Sequence, residues 1–228
     1  ITKPLLEIDQ IELEKDLTIK AIKRQKESTY QQAFDGWRTM IYADGPYGHD
    51  PLGSIENINN IERNDIISLS KTLINRNKNI VISGNFPITI ETFMRDSIAF
   101  KEINKKNEDQ VITNQSTRKI ESLNSKENCI FTRSINTQQV ILLLGKATIM
   151  YKNESDILLR LISCYLGYGM SSLLFKVLRE KYGVVYEAGI YHPIREHETP
   201  FIMHASTTEQ KANITLKLLK ECWEKVLN

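Results

Sequence analysis

Residues 167–186, GYGMSSLLFKVLREKYGVVY, carry the pattern that decides how this chain folds. The segment from Ser171 to Lys181 predicts a helix that is apolar on nearly every side, which is typical of a buried helix. Gly183 ends this helix as a left-handed C′ residue, and a strand begins at Val184. The apolar positions of the helix are Leu173, Leu174, Phe175, Val177 and Leu178.

Two side chains of this stretch, Arg179 and Tyr186, are candidates for binding a ligand. Arg179 falls in the last helical turn, and Tyr186 lies near the start of the following strand. A guanidinium group and a phenol hydroxyl can both donate hydrogen bonds to a peptide carbonyl. From the residues alone, a structural interpretation is favoured. In it, Arg179 interacts with the helix dipole, and Tyr186 alternates with Val184 and Ala188 on a buried face.

The glycine-rich loop before the helix contains Gly167, Gly169, Ser171 and Ser172. Free amides at a helix N-terminus attract anions, so this loop is a candidate binding loop. A P-loop, however, ends in Gly-Lys-Ser/Thr, and a dinucleotide fold has a third glycine. Both features are missing, so the loop predicts a tight turn before a helix and gives little support for a nucleotide site.

Helices and strands are mixed on both sides of this stretch. Downstream, the patterns predict a strand at Phe201–Ser206, which forms a hairpin with Val184–Tyr191, and a helix at Glu209–Leu227. The upstream patterns predict further helices and strands. The helices are Ile8–Lys26, a segment capped by Ser28, Glu62–Leu73, Pro87–Phe100 and Asp156–Leu166, and the strands are Asn79–Ser83, Cys129–Arg133 and Gln139–Leu144.

Composition restricts the partners of this chain. Lys and Arg number 30 against 28 Asp and Glu, a net charge of +2 that gives no reason to expect nucleic acid or an anionic membrane surface. No apolar run approaches the roughly 20 residues that span a bilayer. Three cysteines without close pairing, all among apolar neighbours, indicate buried, reduced thiols, for which we predict a cytoplasmic location. Because the chain starts at Ile1 and stops inside a helical pattern, we expect it to be part of something longer.

The third candidate site is a metal site on His192 and His197. Helical zinc motifs place two histidines four residues apart, so that both face the metal. The spacing here is five, and Pro193 follows His192 directly, which favours a solvated hairpin loop. We therefore expect no metal ligand in this segment.

The Gly167–Tyr186 stretch closely resembles the second-domain signature of the insulinase/pitrilysin and mitochondrial-processing-peptidase family of zinc metalloproteases. In that family, the arginine and tyrosine of an L-R-x-x-x-x-x-x-Y pattern help to bind the substrate backbone opposite the zinc. Residue by residue, these positions fall on Arg179 and Tyr186. Leu173 departs from the pattern, since many members have arginine there, but this position is not one of the pair.

The first half of the chain resembles the same family independently, and the resemblance extends from about Ile11 to Ser206. It implies an α/β (α+β) fold with mainly antiparallel sheets flanked by helices, built as two partial metalloprotease-like repeats. On this basis, residues 1–100 are the C-terminal part of the first repeat, 101–126 a polar linker, and 127–228 the N-terminal part of the second repeat. The matching motifs are Pro46-Tyr47-Gly48, Leu52-Gly53, Ile58, Ile61, Asp65-Ile66 and Val81-Ile82-Ser83-Gly84.

The resemblance also bears on zinc. The family's inverted zinc motif, H-x-x-E-H, occurs nowhere in this sequence, and the family's further glutamate ligand aligns with about Ala21. A methyl group cannot coordinate zinc, which in catalytic sites needs three protein ligands. Glu12 and Glu14 lie nearby, and a solvated helix face is the favoured interpretation for them. The resemblance thus implies no cofactor on this chain and a zinc ion on a homologous partner subunit.

Two functions follow from the resemblance. In the first, the chain is the non-catalytic, substrate-binding part of a zinc-dependent metallopeptidase, with Arg179 and Tyr186 on a peptide substrate that the partner cleaves. In the second, it is a structural or assembly subunit that keeps the peptidase fold and takes no part in proteolysis. Either way, we expect the chain to be inactive alone.

Overall fold

The computed structural model describes residues 4–43, 45, 47–74, 81, 83–87, 89–90, 92, 130–149 and 153–227. Three predicted features, the strand at 79–83, the helix at 87–100 and the linker at 101–126, lie wholly or mostly outside these residues. The repeat boundaries at residues 100 and 127 therefore stay a prediction. By contacts, the chain divides into two compact units, residues 1–20 with 54–118 and residues 21–53 with 119–228.

Side chains satisfy backbone amides at the N-termini of two helices of the first unit. The residues of helix α1 (Ile8–Glu27) up to Lys20 belong to this unit. Helix α3 (Ile55–Asn60) follows its N-cap Ser54, whose hydroxyl accepts the backbone N–H of Asn57 at 3.1 Å. Helix α4 (Arg63–Ile74) follows, and the Asp65 carboxylate accepts the N–H of Glu62 at 2.8 Å. Such side chains satisfy amide groups that have no partner inside the helix. The predicted helices at 8–26 and 62–73 are thus confirmed.

Helix α2 (Thr29–Tyr42) belongs to the second unit and carries four aromatic residues, Tyr30, Phe34, Trp37 and Tyr42. The Ser28 hydroxyl accepts the N–H of Gln31 at 3.3 Å, which confirms the predicted N-cap. Trp37 and Tyr42 are buried, and Phe34 and Met40 pack beside them. Spacings of three residues place Phe34, Trp37 and Met40 on neighbouring positions of the helix surface, and Tyr42 at the end of the helix packs against the same cluster.

A three-stranded antiparallel sheet forms the centre of the second unit, with the order β1-β3-β2. Strand β1 (Gln139–Ala147) and strand β2 (Glu187–Tyr191) both pair with β3 (Pro200–Thr208). This arrangement confirms the mixed fold of helices and antiparallel sheet and the predicted hairpin of β2 and β3. Strand β2 begins three residues later than predicted. The predicted strand at Cys129–Arg133 is wrong for Ile130–Arg133, which form no strand, and Ile130 is 90% exposed.

Two further α-helices and a π-helix complete the second unit. Helix α5 (Asp156–Gly167) confirms the predicted helix at 156–166, and α6 (Ala212–Leu227), preceded by a 3-10 turn at Glu209–Lys211, confirms the C-terminal helix. The predicted burial of the cysteines is confirmed for Cys222 on α6 and is wrong for Cys164 on α5, which is exposed. The helix predicted at 171–181 is also present, but its segment Phe175–Lys181 is a π-helix. Sequence patterns predict helical segments and do not separate α from π geometry.

The sheet packs on both of its faces, because side chains of a strand alternate between them. One face carries Phe201, Met203 and Ala205 of β3 and is covered by α5, the π-helix and α6. The opposite face carries Ile202 of β3 and Tyr191 of β2 and packs against α2. The second unit is therefore a three-layer arrangement with a hydrophobic cluster on each side of the sheet.

Candidate functional site

The helix–turn–strand unit that holds Arg179 and Tyr186 is fixed by backbone hydrogen bonds at the end of the π-helix. Tyr182 N–H donates to the Val177 carbonyl at 3.1 Å, and Val184 N–H donates to that of Leu178 at 2.9 Å. Between them Gly183 has φ +58°, which confirms the predicted left-handed residue. The Lys211 ammonium donates to the Gly183 carbonyl at 2.9 Å, so a lysine from the 3-10 turn secures the same corner.

Arg179 is exposed, and its guanidinium carbon lies 5.3 Å from the centre of the Phe175 ring one turn earlier. This cation–π contact holds the arginine stem and leaves the guanidinium edge, which bears the N–H groups, open. Within the described residues, Arg179 forms no hydrogen bond or ion pair. Its side chain can therefore accept a ligand without losing a partner inside the protein.

Tyr186 is 63% exposed although it directly precedes β2. Its backbone N–H donates to the Ser206 carbonyl at 2.9 Å and extends the pairing with β3. The buried positions here are Val184 and Val185. The structural alternative for Tyr186, a side chain alternating onto a buried face, is therefore wrong, and the phenol faces solvent.

The glycine-rich loop serves as a turn that starts the next helix. Gly169 has φ +75°, and a Cβ on Gly167 would lie 2.6 Å from the Ile190 nitrogen, so both positions require glycine. Ser172 is buried, and its hydroxyl accepts the N–H of Phe175 at 3.4 Å. Ser171 is exposed. The loop's role in binding a ligand stays a prediction.

The proposed position of the lost zinc ligand, Ala21, is exposed on α1. Nearby, Glu12 pairs with Lys15 at 3.0 Å, and Glu14 accepts a hydrogen bond from Gln10 at 2.9 Å. These contacts fit a solvated helix face. In the part of the chain that the structure describes, no three His, Cys, Asp or Glu side chains are grouped so as to hold a metal ion.

The solvated loop predicted for His192 is wrong for its side chain, which lies in a buried polar cluster. The His192 side chain is 1% exposed; its Nδ1 lies 3.0 Å from the Pro200 carbonyl and its Nε2 lies 3.3 Å from Asp156. Asp156 in turn binds Arg160 at 2.6 Å. Both ring nitrogens of His192 thus face protein acceptors, so a metal on this residue would first have to displace one of them.

Sequence patterns also gave no sign of the polar cavity on the α2 side of the sheet. Its volume is 320 Å³, and two arginines, Arg38 and Arg195, line it together with Tyr47 and Asp50. Arg38 is 8% exposed and contacts Asp35 at 3.0 Å and Asp50 at 3.6 Å. These residues come from distant positions, so only folding brings them together.

Burial changes the acidity of several groups on this side of the sheet. It lowers the pKa of His204, with Glu187 opposing the effect. The pKa values of Tyr30 and Tyr42 are raised, mainly by burial. These side chains are therefore uncharged in the folded protein at neutral pH. The candidate pair, Arg179 and Tyr186, is defined by its exposure and by its place in the helix–turn–strand unit.

No helix within the described ranges has the length and apolar character needed to cross a membrane.

Comparisons with known proteins agree on one family. Residues 60–228 match the family described as "Peptidase M16 inactive domain". An "Uncharacterized zinc protease" of Rickettsia felis is 23% identical over 223 residues, covering 93% of this chain and 49% of the relative. A second relative with the same description, from Rickettsia bellii, is also 23% identical, with 49% of its length covered. The chain thus spans about half the length of these curated relatives.

Solved structures show the same fold. The crystal structure of a peptidase M16 inactive domain from Pseudomonas fluorescens matches with a TM-score of 0.70 at 16% identity, covering 99% of this chain and 53% of the other. A chain of Complex III2 from Candida albicans, with Inz-5 bound, matches with a TM-score of 0.55 at 12% identity, covering 86% of this chain and 46% of the other.

Proposed function

Because this chain belongs to the peptidase M16 inactive domain family, we propose that it is the substrate-binding, non-catalytic part of a zinc-dependent metallopeptidase. Arg179 and Tyr186 bind the backbone of a peptide, and the zinc lies on a homologous partner subunit. The observation that carries this proposal is the exposure of both side chains at the ends of one rigid helix–turn–strand unit.

The chemistry follows from the two groups. A guanidinium fork donates up to five hydrogen bonds and stays charged at any physiological pH, and a phenol donates one. Directed at a peptide carbonyl, such donors orient the substrate. They also stabilise the negative oxygen that develops when water attacks the carbonyl carbon. The attacking water and the general base belong to the partner, so this chain contributes binding and electrostatic stabilisation.

Preorganisation supports this role. The Phe175 ring supports the Arg179 guanidinium, and the Tyr186 backbone is bound to Ser206 of β3. Donors that are already oriented need little reorganisation when charge develops on the substrate. Gly183 lies between the two residues in the chain, and its conformation is fixed by the Leu178–Val184 hydrogen bond and by Lys211.

The test uses the chain in complex with a zinc-bearing homologous subunit and measures kcat/KM on a peptide substrate. We expect Arg179→Gln to lower kcat/KM by about 100-fold, the order of magnitude for loss of an oxyanion donor. Tyr186→Phe, which removes one neutral donor, is expected to lower it by about 10-fold. Unchanged turnover in both variants would show that the pair has no such role.

Two neighbouring residues provide matched controls. Lys181 is exposed in the same π-helix, and its ammonium lies 5.2 Å from the centre of the exposed Tyr182 ring. Lys181→Gln and Tyr182→Phe make the same chemical changes as the two test variants and should leave kcat/KM within about twofold, because surface changes away from a site have small effects. Size-exclusion chromatography checks that all four variants keep the complex intact.

A second candidate function is a structural or assembly subunit that has kept the fold. The match to a chain of Complex III2 favours it, because that protein is part of a large assembly. Under this function, the Arg179 and Tyr186 variants leave any proteolysis unaffected, whereas removal of the chain dissociates the assembly. Zinc analysis of the purified chain and of its partner separates both functions from an independent metalloenzyme that uses His192 and His197.

A further inference from the structure

A second polar site lies in the second unit, in the 320 Å³ cavity between α2, the loop after it and the segment that follows β2. Its volume is at the lower end of the range for small-molecule pockets. Its walls combine aromatic and aliphatic side chains, among them Phe34, Tyr191 and Leu52, with two arginines and two glutamines. Such a cavity suits a small ligand that has both an apolar part and a charged group.

Arg195 is the cation of this cavity that lacks an acidic partner. Its guanidinium carbon lies 4.7 Å from the centre of the Tyr47 ring and 5.9 Å from that of Tyr42. Among the described residues, no carboxylate approaches Arg195 within 4.0 Å, and its Nη1 is buried without a hydrogen-bond acceptor. A buried charged donor without an acceptor is costly, so this group is suited to an external anion.

Arg38, the other arginine, is already compensated. Asp35 and Asp50 lie 3.0 and 3.6 Å from its Nη2, although its Nε has no acceptor. Gln25 donates to Asp50 at 2.6 Å and so stabilises the same wall. Arg38 and its two aspartates together carry a formal charge of −1, so Arg195 is the arginine of the cavity wall that is left to attract a ligand carboxylate.

The remaining polar groups suit a peptide. The Tyr47 hydroxyl accepts the N–H of His197 at 3.3 Å and keeps its own hydrogen to donate. Gln25 and Gln31 use their amide nitrogens on Asp50 and Asp35, at 2.6 and 2.8 Å, which leaves their carbonyl oxygens as acceptors. Donors for a carboxylate and acceptors for a peptide N–H thus surround one apolar-walled space.

We propose that this cavity binds the C-terminal end of a short peptide, with the terminal carboxylate on Arg195. Because the chain belongs to a peptidase family, a peptide is favoured over another carboxylic acid as the ligand. The proposal adds a subsite to the proposed function and does not depend on Arg179 or Tyr186. Binding would displace or rearrange the contacts that now cover Arg195 Nη1.

The test is calorimetric titration of the full chain with N-acetyl-Leu-Leu as the free acid and as the C-terminal amide. We expect saturable binding of the acid and at least about 10-fold weaker binding of the amide, because the amide forfeits a charge-assisted hydrogen bond. Arg195→Gln should abolish this preference. Equal affinity of the unaltered chain for acid and amide, or no binding of the acid at millimolar concentration, overturns the proposal.

Arg160 offers the matched control. Its Nη2 is also buried without an acceptor, but it pairs with Asp156 and does not line the cavity. Arg160→Gln should keep the preference for the acid, and loss of the preference in both variants would show a general effect on folding and overturn the assignment to Arg195.

Two further measurements exclude other ligands of Arg195. Competition by inorganic phosphate at the same concentration as the peptide acid would identify a general anion site and overturn the peptide assignment. Glu198, whose charge acts on Tyr42 as that of Arg195 does, has a buried Oε2 without a hydrogen-bond partner among the described residues, and its carboxylate is the alternative partner of Arg195. If Glu198 were that partner, Glu198→Gln would leave Arg195 without it, and the peptide acid would not bind this variant. We expect instead that the peptide acid binds this variant at least as tightly, since a negative charge near the carboxylate is lost. Arg179→Gln and Tyr186→Phe should bind the peptide acid unchanged, which separates this proposal from the proposed function.

Discussion

The two faces of the sheet in the second unit differ in how they are packed. The face under α5, the π-helix and α6 is mainly aliphatic, with Phe201 and Trp223 as its aromatic residues, and Leu166, Leu174, Leu178 and Leu219 are fully buried there. The face under α2 is aromatic, and its ring contacts run from Tyr30 to Tyr47 at centre separations of 5.7 to 6.4 Å. Aliphatic side chains fill space without directional bonds, whereas tyrosines bring hydroxyl groups that need partners. The aromatic face consequently holds the polar cavity, and the aliphatic face supports the exposed Arg179 and Tyr186.

The largest effect is expected where the aliphatic face is broken. Leu178 is fully buried, so Leu178→Ala should lower the free energy of unfolding by about 2–5 kcal/mol, from lost burial and the cavity that remains. Urea denaturation followed by circular dichroism measures this change. Leu161→Ala is the control, because Leu161 is 63% exposed and its loss should change the free energy by no more than about 0.5 kcal/mol. Equal effects of the two variants would contradict the assignment of the core.

On the aromatic face, a single hydroxyl should matter less. Tyr42 is 2% exposed, and its hydroxyl donates to the Glu198 carbonyl at 3.1 Å. Tyr42→Phe keeps the ring and removes this bond, so we expect a loss of about 1–2 kcal/mol in the free energy of unfolding. The same denaturation experiment compares it with Tyr168→Phe, whose ring is 81% exposed and whose variant should match the unaltered chain. A loss above that of Leu178→Ala would reverse the order that we assign to the two faces.

The smallest expected effect is a pH dependence on the aromatic face. His204 packs edge-on against Tyr30 at 5.4 Å, and burial lowers its pKa from 6.5 while Glu187 acts in the opposite direction. Below pH 6.5 the unfolded chain therefore binds more protons at this residue than the folded chain. Stability at this site is then fully present above pH 6.5 and falls as the pH decreases, with a slope of at most about 1.4 kcal/mol per pH unit.

The variant His204→Asn removes this contribution. The difference in unfolding free energy between pH 7.5 and pH 5.5 should be smaller in the variant than in the unaltered chain, since the other titrating groups are common to both. An unchanged or larger difference would show that His204 is not the group whose burial opposes protonation.

Sequence reasoning found the elements whose signals are local. The Ser28 cap, the left-handed Gly183 and the antiparallel hairpin of β2 and β3 each depend on neighbouring residues, and all three are present in the structure. It failed at Ile130–Arg133, where β-branched and aromatic residues predict a strand but no strand pairs with them in the part of the chain that the structure describes. A strand needs a neighbour for its backbone hydrogen bonds, which a short apolar run cannot supply.

The candidate pair and the cavity differ in the same way, because the pair has a local sequence signal and the cavity does not. Arg179 and Tyr186 lie seven residues apart within one continuous motif, so the sequence was enough to single them out, although the residues alone favoured a buried Tyr186. The cavity joins Gln25, Arg38 and Asp50 to Tyr191 and Arg195, which are more than 140 residues further along the chain. No spacing rule connects such positions.

The sequence by itself determined the family, the positions of most helices and strands, and the candidate pair, because these depend on residues close together in the chain. Only the tertiary structure decided that Tyr186 faces solvent, that His192 is enclosed by Asp156 and Pro200, and that Arg195 lies on two aromatic rings without a carboxylate partner among the described residues. Burial and the lack of a partner are properties of the packed environment, and that environment is assembled from elements far apart in the chain.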